Sequence, residues 1–212
     1  MKFITGVNYW PKNHGVQMWT EFDPEEIAED MRTIARMGMN AVRVFLKWAD
    51  FQPSPEIIDE SMVGLFDELL VMADAAGVRV IPTFFCGHMS GENWDVPWRG
   101  DRDPYSDPEM LRAQVGLVKH FAQRYRSDAR ILCWDLANEQ DIFARPRDRH
   151  SGWLWVHTLA SELKSLSTRL QLGPTSPASR RTADFASETS PNAWISCACM
   201  RTRCTLTRVR SA

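Results

Sequence analysis

The sequence lacks several features that mark common functions in a chain of 212 residues. No apolar run approaches the roughly 18 residues that suggest a membrane span, and the start has no secretory apolar region with a small-residue cleavage site. The formal net charge of -2 leaves no positive excess for binding nucleic acid or an anionic membrane. We therefore expect a soluble, cytoplasmic protein with no nucleic-acid and no membrane partner, and the oligomeric state stays open.

The cysteines and glycines do not form the patterns that are typical of disulfide frameworks, metal sites or phosphate-binding loops. Of the five Cys, Cys86 and Cys133 lie in apolar, strand-like stretches, and the others crowd residues 197–204 with no histidine at a zinc-like spacing. We expect no disulfide framework, no metal site and no cofactor. No glycine-rich phosphate loop follows the first predicted strand, because residues 8–11 read Asn-Tyr-Trp-Pro. This argues against nucleotide-binding folds.

Strand-length apolar runs alternate with helical patterns over three quarters of the chain. Asp-Pro-Glu, which supplies an N-cap, a first-turn proline and an early acid, predicts helix starts at Asp23 and Asp107. Two more helices are predicted from about residue 59 and from Trp153, the latter with Leu154, His157, Leu159, Ala160 and Leu163 as core positions. Strands are predicted over residues 3–8, 40–46, 78–85 and 131–139.

This α/β order predicts a parallel sheet with helices outside it. A doubly wound sheet of four units and the first half of an eight-unit barrel both fit, and the missing phosphate loop favours the barrel. The long segment from Cys86 to Ser106 follows the third strand and carries Trp94, Trp98 and Tyr105. Loops of such length inside a compact domain are usually functional or disordered, and the aromatic residues argue against disorder.

The fourth strand ends abruptly in Asn138 and Glu139, without a glycine or proline turn. In a barrel, side chains at the carboxyl ends of the strands face the active-site mouth. We therefore expect both residues at the rim of a pocket. The alternative is an ordinary polar start of a loop.

The composition changes from about Ser167 onward: Ser, Thr and Arg dominate, and neither helical nor strand periodicity continues. We predict a partial barrel domain over residues 1–166 and an irregular tail over residues 167–212. Two explanations for the tail stay open, a natural disordered extension and a frameshifted, truncated chain. A shift of the reading frame converts residues 199–205 into codons compatible with His-Ala-Tyr-Pro, and resequencing the gene decides the matter.

Four segments, in this order, resemble a known enzyme family, namely residues 6–10 (GVNYW), 40–45 (NAVRVF), 82–88 (PTFFCGH) and 134–139 (WDLANE). Residues 3–166 are similar to the first half of a clan A glycoside hydrolase, most of all to the family 5 cellulases and mannanases. The resemblance implies a (β/α)8 TIM barrel, truncated here to about its first four βα units. It also implies a carbohydrate substrate, a β-linked poly- or oligosaccharide such as mannan or glucan, and hydrolysis by a retaining mechanism.

The resemblance also implies roles for the strand-end residues. Glu139 would be the general acid/base, which protonates the leaving glycosidic oxygen and then deprotonates water. Asn138 would hydrogen-bond the sugar 2-hydroxyl. Arg43 would orient the nucleophilic carboxylate, and the alternative for this strand residue is a salt bridge to an interior acid such as Asp135. Residues implied to bind substrate, or else to pack in the loops, are His88, Trp10, Trp48, Trp94 and Trp98.

The nucleophile is missing from this set. In the family it comes from the seventh strand, so we expect the chain to be an incomplete and inactive glycosidase. One alternative is a non-catalytic carbohydrate-binding or scaffold half-barrel that uses the same aromatic rim. A phosphate-binding barrel isomerase or nucleotide-binding sheet is a third possibility, which the missing glycine loops weaken. The sequence leaves the sugar and its linkage open.

Overall fold

The computed structural model describes residues 3–89, 91–169 and 171–172, together with residues 194–195, 199–200 and 203–205. Its centre is a sheet in which four neighbouring strands run parallel, in the spatial order Trp134–Asn138, Arg79–Cys86, Ala41–Phe45 and Thr5–Asn8. The strands up to this point of the chain are β1 Thr5–Asn8, β2 Ala41–Phe45, β3 Arg79–Cys86, the short β4 His88–Met89 and β5 Glu92–Asn93, and β6 Trp134–Asn138. The sheet therefore contains the four parallel strands that the sequence predicts.

Helices follow each of the four parallel strands and cover one face of the sheet. They are α1 Pro24–Arg36, α2 Trp48–Phe51, α3 Glu60–Ala75, α4 Pro108–Arg124, α5 Gln140–Phe143 and α6 Arg149–Leu166, with 3-10 turns at Gly15–Gln17 and Pro97–Arg99. The Asp-Pro-Glu signals are confirmed, because the side chains of Asp23 and Asp107 each accept two backbone N–H groups at the starts of α1 and α4. Asp59 caps α3 in the same way. None of the described helices is long and apolar enough to span a membrane.

Alternation along the strands separates two kinds of core, since successive side chains point to opposite faces. Val42, Val44, Val80 and Leu136 belong to the main core with the helices. The intervening strand residues face the other way and form an apolar base of Ala41, Ile81 and Cys133 and a polar level of Arg43, Thr83 and Asp135. Beyond these lies an aromatic level, in which Phe45 of β2 clusters with Cys86 at the end of β3 and with Trp94 of the following loop.

Two details of the sequence prediction are wrong. Helix α6 begins at Arg149, capped by Asp148, rather than at Trp153. Leu154 is 43% exposed and His157 is also exposed, so neither is a core position. The buried face of α6 is set by its contact with α4, which local periodicity does not report.

The segment predicted as an irregular tail contains short strands among its described residues: β7 Gln171–Leu172, β8 Trp194–Ile195, β9 Cys199–Met200 and β10 Arg203–Thr205. Strand β7 lies parallel to β6, and β10 pairs antiparallel with β1. Most of the tail lies outside the described residues. This includes Asp184 and Glu188, two acids to which the sequence assigns no catalytic role. The division at residue 166 and the origin of the tail stay predictions.

Candidate active site

Glu139 directly follows β6 in an unusual backbone conformation. Its φ of 49° and ψ of 36° are left-handed, and no other non-glycine residue among those described has a positive φ. Such a conformation costs about 1–3 kcal/mol and persists only where the surroundings enforce it, which is typical of active sites. The side chain is partly exposed, and it makes no capping hydrogen bond to α5, the helix that follows. The carboxyl group thus stands at the carboxyl edge of the sheet.

Asn138 is buried, and both ends of its amide are held. Its Oδ1 accepts a hydrogen bond from Nη1 of Arg43 at 2.9 Å, and its Nδ2 donates to the backbone oxygen of His88 at 2.9 Å. A flipped amide would place a donor against the guanidinium and an acceptor against a carbonyl oxygen, so the contacts fix the orientation. The side chain before Glu139 is therefore preorganised.

Arg43 lies on β2, is 4% exposed, and forms a salt bridge to Asp135. Its Nε donates to Asp135 Oδ2 at 2.7 Å, and its Nη2 donates to the same oxygen. The salt bridge foreseen as the alternative for Arg43 is thus present. A role of Arg43 toward a nucleophilic carboxylate stays a prediction.

His88 lies on β4, directly opposite Asn93 in the β4–β5 hairpin. Its Nδ1 is 2.6 Å from Asn93 Oδ1. This contact occupies Nδ1, with the donor set by the histidine tautomer and by the orientation of the exposed Asn93 amide. The hairpin thereby holds the His88 ring in place.

The four tryptophans that the sequence offers as sugar contacts form two separate clusters. Trp10 stacks on Phe45 with ring centroids 5.0 Å apart and meets Trp94 edge-on at 5.4 Å. Trp94 is buried, and Nζ of Lys47 lies 5.9 Å from its ring centroid. This cluster shares the aromatic level of the sheet interior with Cys86. Burial raises the pKa of the Cys86 thiol to about 12, while the Arg43 charge lowers it and the Glu139 carboxylate adds to the rise. Trp10 and Trp94 therefore lie on the same side of the sheet as the strand-end residues.

Trp48 and Trp98 form the other cluster. Trp48 is 7% exposed, donates from Nε1 to Gln52 Oε1 at 2.7 Å, and packs edge-on against Phe85 and Trp98. Trp98 donates to the backbone oxygen of Gln52 at 2.9 Å. The contacts give both rings a packing role that ties the long loop to α2.

A group of possible metal ligands occurs among the described residues: His14, Asp23 and Glu26, whose ligand atoms lie within 4.8 Å of one another. Asp23 already caps α1, and Nδ1 of His14 is 2.7 Å from Glu26 Oε2. These contacts account for the arrangement of the three side chains, and we assign no metal to it.

Comparison with known proteins gives the family. The profile of the cellulase family, glycosyl hydrolase family 5, matches residues 4–169. The chain belongs to glycosyl hydrolase family 5. The fold expectation is confirmed, because the parallel sheet matches part of the family 5 TIM barrel.

The solved structures similar to this family 5 chain include an exo-β-1,4-mannosidase and a protein in complex with Manβ1-4GlcNAc. The exo-β-1,4-mannosidase Op5Man5 from Opitutaceae bacterium strain TAV5 superposes with a TM-score of 0.77 at 30% identity, over 81% of this chain and 31% of that chain. The GH5_18 protein of Streptomyces cattleya in complex with Manβ1-4GlcNAc gives 0.74 at 24% identity, over 79% of this chain and 43% of its own, and shows the fold alone.

A curated relative is a β-galactosidase. The β-galactosidase LacZ of Heyndrickxia coagulans is 26% identical over 151 residues, which are 65% of this chain and 22% of that protein. The chain thus spans less than half the length of each of these three relatives.

Sequence reasoning missed several residues that contact Asp135 and Asn138. Thr83 donates from Oγ1 to Asp135 Oδ2 at 2.6 Å. Gly87 donates from its backbone nitrogen to the backbone oxygen of Asn138 at 3.0 Å. Asp135 was considered only as a partner of Arg43. A charged residue within an apolar strand was the available signal, because burial of an unpaired charge is costly.

Proposed function

We propose that the chain carries the acid/base side of a retaining β-glycoside hydrolase site. Glu139 acts as the general acid/base, and Asn138 binds the sugar 2-hydroxyl. The observation that supports this assignment is the left-handed Glu139 immediately after an Asn138 whose amide is fixed by Arg43 and the His88 carbonyl. These groups stand at the carboxyl edge of a parallel sheet, where barrel enzymes place their chemistry.

For the substrate we propose a β-D-hexopyranoside, and a β-mannoside before a β-galactoside. Of the two relatives with a named activity, the mannosidase is the more similar to this chain, at 30% identity against 26% for the β-galactosidase. Around the sugar, His88 offers a ring nitrogen, Nε2, for a hydrogen bond, and the Trp10–Trp94 cluster offers an apolar wall. Because Trp10 already stacks on Phe45, only its opposite face is available for a sugar ring.

We further propose that the 212-residue chain has negligible glycosidase activity by itself. A retaining mechanism requires a second carboxylate, the nucleophile, about 5–5.5 Å from the acid/base. Asp135, an acid close in sequence, is fully buried and paired with Arg43, so it is unsuited to attack a sugar. Incubation of the purified chain with 4-nitrophenyl β-mannoside and β-galactoside tests this. Hydrolysis that disappears in Glu139→Gln would refute it.

The role of Glu139 is tested in a chimera that joins residues 1–166 to the complementary part of the exo-β-1,4-mannosidase. We expect the chimera to hydrolyse mannobiose, and Glu139→Gln to slow it by about 10²–10⁴-fold, the usual contribution of general acid–base catalysis. The loss should be smaller for the glycosylation step with an aryl mannoside, whose leaving group needs less protonation. Glu56→Gln, at an exposed acid of the loop after β2, is the matched control.

An unchanged kcat for mannobiose in the Glu139→Gln chimera would contradict the acid/base assignment. Mannobiose binding by the 212-residue chain that Glu139→Gln leaves unaltered, together with a chimera that folds but gives no turnover, would favour the non-catalytic carbohydrate-binding function.

A further inference from the structure

Asp135 is fully buried on β6, and all its hydrogen bonds use one carboxylate oxygen. Oδ2 accepts from Nε and Nη2 of Arg43 and from Oγ1 of Thr83. Oδ1 is also buried and has no partner among the described residues. Thr83 is the register neighbour of Asp135 on β3, and Arg43 comes from β2, so three adjacent strands meet at one oxygen atom.

This geometry determines which nitrogen of Arg43 faces Asn138. The guanidinium is planar and its five N–H groups have fixed directions. With Nε and Nη2 on Asp135, Nη1 is left to donate to Asn138 Oδ1, at 2.9 Å. A carboxylate that accepted from Nη1 and Nη2 instead would rotate the guanidinium in its plane and change the direction in which Nη1 donates to Asn138.

The contacts continue from Asn138 to the β4–β5 hairpin. Nδ2 of Asn138 donates to the backbone oxygen of His88, which also lies 3.6 Å from Cys86 Sγ. A continuous series of contacts therefore runs from Thr83 through Asp135 and Arg43 to Asn138 and the β4–β5 hairpin. Burial excludes competing water from its inner members, since Asp135 is 0% and Arg43 4% exposed.

We propose that Asp135 is a positioning residue for the sugar-binding amide of Asn138, and that it acts through Arg43. A merely structural ion pair would need only the opposite charges. The positioning role depends on the side of the guanidinium that Asp135 occupies and on the polar level it shares with Thr83. The binding of sugar by Asn138 rests on the proposed function. The positioning of the Asn138 amide by Asp135 does not depend on it.

The test uses the 212-residue chain and two-dimensional ¹H–¹⁵N spectra of its side-chain N–H groups. In Asp135→Asn, which keeps the shape and removes the charge, we expect the Arg43 Nε–H signal to lose its protection from exchange and the Asn138 amide signals to shift. Assignments come from Arg43→Lys and Asn138→Ala. Thr83→Val, which removes one donor to the same oxygen, should shift the Asn138 signals less, and it remains available if Asp135→Asn does not fold.

Asp67→Asn is the matched control, because Asp67 also pairs with an arginine, Arg124, and accepts from Tyr125, but on α3 away from the strand ends. It should leave the Arg43 and Asn138 signals in place. Asn138 signals that stay unchanged in both Asp135→Asn and Thr83→Val, while the Arg43 signal moves, would overturn the proposal.

Mannobiose titration separates this proposal from the proposed function. We expect Asp135→Asn to weaken binding about tenfold, the scale of one hydrogen bond, and to have no further effect in an Asn138→Ala background. Equal weakening in both backgrounds would show that Asp135 does not act through Asn138. If the unaltered chain binds no mannobiose, the sugar assignment fails, whereas the spectra still decide the role of Asp135.

Discussion

Gly87 lies directly against Gln140, the residue after Glu139. A Cβ atom on Gly87 would be 2.8 Å from Gln140 Oε1 and 2.9 Å from Gln140 Cα, and 2.8 Å from Cβ of Phe143. The backbone of the loop after β3 therefore supports the turn that holds Glu139 in its left-handed conformation. Contacts with backbone atoms cannot be relieved by rotation of a side chain.

We expect Gly87→Ala to displace this turn. The overpacking should lower the free energy of unfolding by about 1–3 kcal/mol, measured by urea denaturation, and should reduce kcat in the mannosidase chimera. Gly64→Ala is the control, because Gly64 lies in α3 with nothing near its Cβ position. It should stabilise the chain by about 0.5–1 kcal/mol. Unchanged stability and kcat in Gly87→Ala would show that the turn does not depend on the close approach.

The buried side chains of the three tyrosines indicate how the stability of the folded chain changes at alkaline pH. Burial is the main cause that raises the pKa of Tyr9, Tyr105 and Tyr125 above the ordinary value near 10, and neighbouring acids add to it. The folded state thus holds protons that the unfolded state releases. Stability should fall as the pH rises above about 10, because the unfolded state then binds fewer protons.

Absorbance at 295 nm and circular dichroism, followed together with pH, check this prediction. Tyrosinate absorbance should appear only with loss of the folded signal, whereas the chain in concentrated urea should ionise all three tyrosines around pH 10. Tyrosinate formation in a chain that keeps its native circular dichroism would contradict the burial of these hydroxyl groups.

Substitutions of Trp48 test whether this tryptophan packs in the core or contacts the sugar. Its ring is 7% exposed, so Trp48→Ala should lower the free energy of unfolding by about 3–5 kcal/mol. Trp48→Phe keeps most of the apolar contact, loses the hydrogen bond to Gln52 and should cost less. Thermal and urea denaturation measure both changes. A Trp48→Ala chain of unaltered stability and weakened mannobiose binding would assign Trp48 to the substrate instead.

Local patterns were sufficient for the four parallel strands, for the starts of α1, α3 and α4, and for the end of the fourth strand. Asp23 and Asp107 were found as helix caps because a cap, a proline and an early acid act within one turn of the chain. Asn138 and Glu139 were found because an apolar strand stops at polar residues. The positions of Leu154 and His157 were wrong, because the buried side of α6 depends on its partner helix α4.

The sequence by itself therefore determined the alternation of strands and helices and the identity of the acid and amide at the edge of the sheet, since hydrophobic periodicity and capping are properties of neighbouring residues. Only the tertiary structure decided that Arg43 pairs with Asp135 and also holds Asn138, that Asn93 faces His88, and that Trp48 packs inside while Trp10 stacks on Phe45. These contacts join residues distant in the chain or placed by loops, and strand register, hairpin pairing and loop packing set their distances.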